Sequence, residues 1–186
     1  MNRAAAAWTT GLVVCLHSVL TVPAGAESAV SAATATDIVV AAADAVGPVT
    51  GYPLPRFVSM KSSIGNARRG PGFSYRVDWV FNHTGTPLLI TAEHGHWRRV
   101  EDIDGMGGWM HFRLLSGIRT VVHRESETAI RDRPDNDGRV NAFADRGVIS
   151  RLDRCTSDWC RIYGDGYSGW VLKEEIFGVF PDEAED

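Results

Sequence analysis

The chain has 186 residues, of which 44% are hydrophobic and 23% are charged, and these fractions are typical of a globular protein. This length is enough for one medium-sized domain or two small ones. The formal net charge of −4 argues against a nucleic-acid-binding surface, which needs a clustered excess of basic residues, and against polybasic attraction to a membrane.

Residues 1–26 have the pattern of a secretory signal peptide. Arg3 supplies a positive start, residues 4–20 are apolar and uncharged, and a small-x-small sequence predicts cleavage after Ala26. A membrane anchor is the alternative, but the apolar run is shorter than a membrane span and is interrupted by two threonines and a histidine. The sequence therefore predicts secretion across the inner membrane to the periplasm or cell envelope, with no stable membrane insertion after cleavage.

Residues 27–55 are rich in Ala, Ser, Thr and Val, and they end in a stretch that contains glycine and proline. They include few aromatic or charged residues, so they lack the side chains to form a core of their own. We expect this segment to be a flexible linker between the signal peptide and the folded region.

From Phe57 onward, short runs of β-forming residues alternate with turns rich in Gly, Pro, Asn and Asp. No segment keeps a helical periodicity of apolar residues over three turns. The pattern predicts an all-β fold. We place a first unit at residues 57–122, a second unit at residues 127–180, and a frayed acidic tail at residues 181–186.

One motif occurs in both units. In the first unit, Trp97 starts a short alternating run, and Gly108-Trp109-Met110 follows a glycine-rich turn. In the second unit, Trp159 and Gly169-Trp170-Val171 take the same places. The two tryptophans are 12 residues apart in the first unit and 11 apart in the second. Self-similarity of this kind indicates a repeated structural unit.

This order of strands and turns resembles the bacterial SH3-like domain, and in particular the tandem, exported proteobacterial kind. The residues that carry the resemblance are Asn66, Arg68, Gly70, Pro71, Trp97, Val100, Gly108, Trp109 and Met110 in the first unit, and Ile130, Arg131, Pro134, Gly147, Trp159, Ile162, Gly169, Trp170 and Val171 in the second. The resemblance implies two small SH3-like β-barrels in tandem.

The resemblance, the predicted export and the lack of a catalytic motif such as G-x-S-x-G together predict a non-catalytic binding protein. Its expected ligand is peptidoglycan or an envelope protein, and we expect neither enzymatic activity nor a cofactor. The alternative is a scaffold or accessory domain of an envelope hydrolase, with metal binding as a further feature.

Removal of the signal peptide leaves two cysteines, Cys155 and Cys160. Because exported proteins meet an oxidising compartment, the pair predicts a disulfide bond across a hairpin. A thioredoxin-type redox pair would need C-x-x-C spacing, and a zinc site would need two further ligands at fitting spacing. In the first unit the equivalent residues are Glu93 and Arg98, which we expect to form a surface ion pair.

The tryptophans of the repeated motif have two interpretations. Large rings beside turns either pack in the core and rim of a small barrel or line a shallow ligand groove. The candidate groove residues are Trp97, Trp109, Trp159, Trp170 and Tyr163.

His94, His96 and His111 are the candidate metal ligands of the alternative function. Two histidines two residues apart lie on one face of a strand, which would allow them to share a metal ion. An exposed hairpin turn explains the same residues, and we favour it and expect no metal site.

Overall fold

Sixteen short β-strands and two 3₁₀ turns make up the regular structure of residues 45–184, the part of the chain that the computed structural model describes. The predicted signal peptide, residues 27–44 of the predicted linker and the last two residues lie outside the described residues. Within residues 45–184, no helix is long and apolar enough to cross a membrane. The predicted all-β fold is confirmed.

The strands form an N-terminal hairpin and two sheets of seven strands each. The hairpin and the first sheet comprise β1 (Ala45–Val46), β2 (Pro53–Leu54), β3 (Arg56–Met60), β4 (Gly65–Arg68), β5 (Val77–Phe81), β6 (Pro87–His94), β7 (Trp97–Glu101), β8 (Gly107–His111) and β9 (Leu115–Ser116). The second sheet comprises β10 (Thr120–His123), β11 (Thr128–Arg131), β12 (Val140–Ala144), β13 (Ile149–Cys155), β14 (Trp159–Gly164), β15 (Tyr167–Leu172) and β16 (Ile176–Phe177). A 3₁₀ turn precedes the last strand of each sheet, at Phe112–Leu114 and at Lys173–Glu175.

The two sheets have the same topology. The strand order is β5-β4-β8-β7-β6-β3-β9 in the first sheet and β12-β11-β15-β14-β13-β10-β16 in the second. Each strand of one sheet therefore has a counterpart in the other, and neighbouring strands pair antiparallel throughout. The predicted tandem repeat is confirmed at the level of topology.

The boundary between the units differs from the prediction. The sequence pattern suggested that the first unit ends at residue 122, but Thr120–His123 forms β10, which pairs with β13 and β16 of the second sheet. In the second sheet β10 takes the place that β3 takes in the first. Pairing with strands distant in the sequence decides this assignment, and no local pattern reveals such pairing.

Each sheet encloses an apolar core of its own. The inward-facing strands supply Met60, Leu88, Ile90, Val100 and Met110 to the first core, and Val121, Ile130, Ile162, Val171 and Ile176 to the second. Along some of the strands, buried positions alternate with more exposed ones, as the twofold period of a strand predicts. In β4, for example, Gly65 and Ala67 are buried while Asn66 is exposed.

The Gly-Trp pair of the repeated motif marks a close approach between two strands. A β-carbon on Gly108 would lie 2.6 Å from the carbonyl oxygen of Arg68, and one on Gly169 would collide with the carbonyl oxygen of Arg131. Both arginines are register partners of the tryptophans that follow these glycines. Glycine is therefore required where β8 meets β4 and where β15 meets β11.

Cys155 and Cys160 are register partners at the adjoining ends of β13 and β14, and they form a disulfide bond. The predicted disulfide is confirmed. Glu93 and Arg98 pair at the same place in the β6–β7 hairpin of the first sheet.

Residues 45–55 differ from the flexible linker predicted for residues 27–55. They form the β1–β2 hairpin, in which Ala45 pairs with Leu54. The backbone amides of Val49 and Thr50 in its turn donate hydrogen bonds to the carboxylate of Glu93. This long-range anchor, which the composition of the segment does not show, corrects the prediction for residues 45–55.

The predicted frayed tail is also held in place as far as residue 184. Arg119, which precedes β10, donates hydrogen bonds to the carbonyl oxygen of Gly178 at 2.6 Å and to the carboxylate of Glu183 at 3.0 Å. Lys173 donates from Nζ to the carbonyl oxygens of Pro181 and Glu183. These bonds correct the prediction for residues 181–184.

Aromatic rings and a partly buried hydrogen bond connect the two sheets. The ring of Phe57 in β3 lies 5.1 Å from the ring of Phe177 in β16 and 4.8 Å from that of Phe180, measured between centroids. The hydroxyl of Thr120 donates to the carbonyl oxygen of Gly85 at 2.6 Å. The two sheets accordingly belong to one compact unit.

Candidate functional site

Five aromatic side chains gather on the surface of the first sheet, and we call them the aromatic groove: Phe73, His96, Trp97, His111 and Phe112. Phe73 packs edge-on against Trp97, with 4.9 Å between the ring centroids, and stacks on His111 at 5.7 Å. The ring of His111 also lies 5.9 Å from that of His96 and 5.0 Å from that of Phe112. The five rings therefore form one continuous surface.

The β7–β8 hairpin brings these residues together. Trp97 is the first residue of β7 and pairs with His111, the last residue of β8. His96 lies in the tight turn that precedes β7, and Phe112 begins the 3₁₀ turn that follows β8. Phe73 comes from the loop between β4 and β5, so three separate turns meet at one end of the hairpin.

The aromatic groove is open to solvent and mainly apolar. Phe73 is 73% exposed and Phe112 is 41% exposed, whereas Trp97 is buried beneath them. The groove has a volume of about 450 Å³, and Arg113 and Leu114 complete its lining. Among the described residues that line it, none is acidic. Contiguous exposed apolar surfaces are a common feature of binding sites, and the aromatic groove is therefore the candidate site.

His111 is uncharged at neutral pH. Burial, and after it electrostatic interaction with His96, Arg113 and Arg98, lowers the pKa of His111 below its usual 6.5. A neutral imidazole offers a flat face to a ligand without the cost of removing a charge from water. The histidine therefore suits stacking in the aromatic groove.

The structure does not gather the three candidate histidines of the alternative function into one cluster. Within residues 45–184, no group of three or more His, Cys, Asp or Glu side chains could hold a metal ion. His96 and His111 lie in the wall of the aromatic groove, while His94 ends β6 as the register partner of Trp97.

A second cavity, which we call the arginine pocket, continues the aromatic groove. It has a volume of about 320 Å³, and its lining includes Tyr52, Arg56, Arg98 and Phe112. Phe112 lines both cavities, so the arginine pocket adjoins the aromatic groove at this ring. The β1–β2 hairpin forms part of this pocket by supplying Thr50 and Tyr52.

The carboxylate of Glu93 holds the arginine pocket together. It accepts hydrogen bonds from the amides of Val49 and Thr50, from the Thr50 hydroxyl at 2.7 Å and from Nη2 of Arg56 at 2.6 Å. Nε of Arg98 lies 3.3 Å from the same carboxylate. The expected surface ion pair between Glu93 and Arg98 is therefore wrong in its placement, because both side chains are buried. The β1–β2 hairpin covers them.

Glu93 is ionised at neutral pH. Its burial on its own would raise the pKa. The hydrogen bonds from Thr50, Arg56 and Val49 outweigh this effect and lower the pKa of Glu93 to about 2. The carboxylate of Glu93 is therefore negatively charged at neutral pH, and it forms ion pairs with the two arginines that line the pocket.

The sequence profile of the bacterial SH3 domain matches the chain twice, at residues 61–117 and 124–178. The chain belongs to the bacterial SH3 domain family. The two matches cover all strands of the two sheets except β3 and β10, and the resemblance inferred from the repeated motif is confirmed. Bacterial SH3 domains are generally cell-wall binding modules. Among curated proteins, none matches the chain.

Two solved structures from Trichomonas vaginalis are similar to the chain at a low level. NlpC2 and NlpC1 each share 14% sequence identity with it at a TM-score of 0.32. The matches cover 68% and 70% of this chain and 49% and 48% of those proteins, so the chain spans about half of their length. A likeness at this level says nothing about the site.

The five predicted groove residues are divided between the two SH3 domains. Trp97 and Trp159 are buried at counterpart positions, Trp109 and Trp170 are half-buried, and Tyr163 is exposed. Trp97 is the member of this set that lies in the aromatic groove. A ligand-binding role for any of the five stays a prediction.

The counterpart surface of the second SH3 domain has a different chemistry. The positions of His96, His111 and Phe112 are taken there by Asp158, Leu172 and Lys173, respectively. Lys173 donates from Nζ to the carbonyl oxygens of Ser157, Pro181 and Glu183. The side chain is thus bound to the domain's own backbone, and the aromatic groove is specific to the first SH3 domain.

The sequence analysis missed Phe73, Phe112 and Arg56 as site residues. Phe73 and Phe112 are large aromatic residues in turns, where polar residues are expected, and this contrast is a signal that could have revealed them. Arg56 directly follows the predicted linker, and no local pattern connects it with Glu93, which lies 37 residues further along the chain.

Proposed function

We propose that this protein is a non-catalytic module of the cell envelope that binds peptidoglycan through the aromatic groove of its first SH3 domain. The exposed, continuous ring surface of the groove is the observation that carries the proposal. Flat aromatic faces bind the apolar faces of sugars and the side chains of short peptides, and peptidoglycan offers both.

The family and the predicted export support this proposal. Bacterial SH3 domains are generally cell-wall binding modules, and a secretory signal would deliver the protein to its ligand. The groove also lacks the arrangement of a nucleophile, a base and an orienting group that hydrolysis requires. Binding without turnover is therefore the function that the groove supports best.

Binding to purified sacculi tests the proposal. The protein is mixed with peptidoglycan sacculi, and the bound fraction is measured in the pellet over a range of protein concentrations. The double variant Phe73→Ala/Phe112→Ala removes both exposed rings and leaves buried Trp97 in place. We expect its affinity to fall by about tenfold or more, because aromatic residues are the usual hot spots of binding surfaces.

Phe143→Ala is the matched control. Phe143 is 67% exposed on β12 of the second SH3 domain, far from the aromatic groove in the strand order. This variant removes a similar exposed ring and should bind sacculi like the unchanged protein. Equal binding by the double variant and the unchanged protein would remove the aromatic groove as the site. Failure of the unchanged protein to bind sacculi would overturn the peptidoglycan proposal and favour an envelope protein as the ligand.

A further inference from the structure

The arginine pocket adds a charged subsite to the aromatic groove. The described residues that line it include two charged side chains, Arg56 and Arg98, and both are cationic. This is unexpected in a chain whose formal net charge is −4. The position of the pocket next to Phe112 makes it accessible to a ligand that already stacks on the groove.

The charges in and around the pocket do not balance. Arg56 and Arg98 contribute two positive charges, and the carboxylate of Glu93 contributes one negative charge. Glu93 already accepts hydrogen bonds from two backbone amides, a hydroxyl and Arg56, and Nε of Arg98 forms an ion pair with it at 3.3 Å. One positive charge is therefore left over in a partly enclosed space, where an electrostatic interaction is stronger than in water.

The two guanidinium groups also keep hydrogen-bond donors for a ligand. Arg98 uses Nε for Glu93 and Nη1 for the carbonyl oxygens of Gly95 and Trp97. Arg56 uses Nη2 for Glu93 and Nη1 for Pro53. Within residues 45–184, Nη2 of Arg98 and Nε of Arg56 have no hydrogen-bond partner, although each guanidinium offers five donors.

We infer that the arginine pocket is a subsite for a carboxylate, so that the ligand of the aromatic groove is a peptide-bearing peptidoglycan fragment with a free acidic group and not bare glycan. One excess positive charge matches a carboxylate, which carries a single negative charge, better than it matches a phosphate dianion. The planar guanidinium is the side chain best suited to hold a carboxylate. The inference rests on the proposed function, since it names the part of peptidoglycan that the same site recognises.

Calorimetric titration of the full chain with two forms of one ligand tests the inference. The first form is a disaccharide-tetrapeptide fragment of peptidoglycan with free carboxyl groups, and the second is the same fragment with those groups converted to carboxamides. We expect the free acid to bind about tenfold more tightly at pH 7, as is typical of a hydrogen bond to a charged group. No variant is needed for this comparison, so a folding defect cannot imitate the result.

Arg56→Gln should then remove the preference. The variant leaves Glu93 paired with Arg98 and makes the pocket neutral, so the two forms should bind equally. Arg113→Gln is the matched control, because Arg113 lines the aromatic groove but not the arginine pocket, and this variant should keep the tenfold ratio.

Equal affinity of the two forms for the unchanged protein would overturn the carboxylate subsite and leave the proposed function intact. Loss of the preference in Arg113→Gln, with the preference kept in Arg56→Gln, would also overturn the assignment to this pocket. Absence of binding by both forms would count against the subsite and the proposed function together.

Discussion

At the scale of single residues, Glu93 determines the shape of the site. Its buried carboxylate connects the turn of the β1–β2 hairpin with Arg56 and Arg98, which lie on β3 and β7. A buried carboxylate is stabilising when hydrogen bonds replace its lost water, and here two amides, a hydroxyl and the guanidinium of Arg56 donate them. The nearby guanidinium of Arg98 adds an ion pair. Removal of the charge should therefore affect both stability and the arginine pocket.

The first prediction concerns the pH dependence that Glu93 causes. Its pKa is about 2 in the folded protein, whereas an unperturbed glutamate has a pKa of 4.5. Since the folded pKa is the lower one, the stabilisation is fully present above pH 4.5 and is lost as the pH falls towards 2. The shift corresponds to about 3 kcal/mol, and water near partly exposed Arg56 reduces it to about 2 kcal/mol.

Urea unfolding of the unchanged protein and of Glu93→Gln at pH 7, 4.5 and 3 checks this prediction. The variant should be less stable by about 2 kcal/mol at pH 7, and the difference should shrink as the pH falls, because a protonated glutamate resembles glutamine. Glu101→Gln, on an exposed side chain of β7, should change stability by less than about 0.5 kcal/mol. A difference between Glu93→Gln and the unchanged protein that stays constant from pH 7 to pH 3 would contradict the assigned pKa.

His123 also makes the stability of the protein depend on pH, so the effect of Glu93 has to be measured as a difference between the unchanged protein and Glu93→Gln. It is fully buried, and Nε2 lies 3.1 Å from the hydroxyl of Ser150, which in turn lies 2.8 Å from the hydroxyl of Tyr167. Burial lowers the pKa of His123 below 6.5, so its contribution to stability also decreases as the pH falls below that value. Both proteins contain His123, and its contribution therefore cancels in the difference.

At the scale of elements, the two SH3 domains stabilise the same hairpin by different chemistry. In the first domain, β6 and β7 are joined by the Glu93–Arg98 ion pair under the β1–β2 hairpin. In the second, β13 and β14 are joined at the same register position by the disulfide bond. The ion pair leaves charge and hydrogen-bond donors available for a ligand, whereas the disulfide does not, which agrees with the placement of the candidate site in the first domain.

The second prediction is that reduction of the disulfide destabilises the second SH3 domain selectively. The bond closes a short loop, so the chain-entropy estimate of its stabilisation is about 2 kcal/mol. Hydrogen exchange with and without a reductant should show faster exchange of the β13 and β14 amides after reduction, and a smaller change in β6 and β7. The Cys155→Ser/Cys160→Ser variant should not respond to the reductant. Unchanged exchange in β13 and β14 would show that the bond is not a stabilising element.

At the scale of the whole molecule, the two SH3 domains share an interface. Phe57 of the first domain packs against Phe177 and Phe180 of the second, and the guanidinium of Arg119 lies 5.7 Å from the centre of its ring. Phe57 also lines the arginine pocket. The interface and the candidate site therefore share a residue, and the second domain supports the site although its own groove differs.

The third prediction is that Phe57→Ala makes the two domains unfold in separate transitions, because it weakens the interface between them. The truncation removes a buried ring from the interface and should cost about 3 kcal/mol. Scanning calorimetry should then resolve two unfolding transitions where the unchanged protein shows one. Arg146→Gln is the control, because the Arg146–Asp104 pair between the domains is exposed and should contribute less than about 1 kcal/mol. A single transition in Phe57→Ala, at an unchanged temperature, would contradict the role of this contact.

Several features could be predicted from the sequence because they depend on local patterns. Short alternating runs predicted the all-β fold, and the repeated tryptophan motif predicted two tandem SH3-like units. The disulfide followed from two cysteines on either side of a short turn, since residues this close in sequence face each other in a hairpin.

The tertiary structure alone decided which residues meet at the site. Phe73, His96 and Phe112 belong to three separate turns, and the pairing of β7 with β8 and of β4 with β8 brings them together. Glu93 meets Thr50 and Arg56 across 43 and 37 residues of sequence. Contacts over such separations depend on the order of strands in the sheet, and local composition does not encode that order. For this reason the sequence determined the repeated unit, while the fold decided which copy presents an aromatic groove and an arginine pocket.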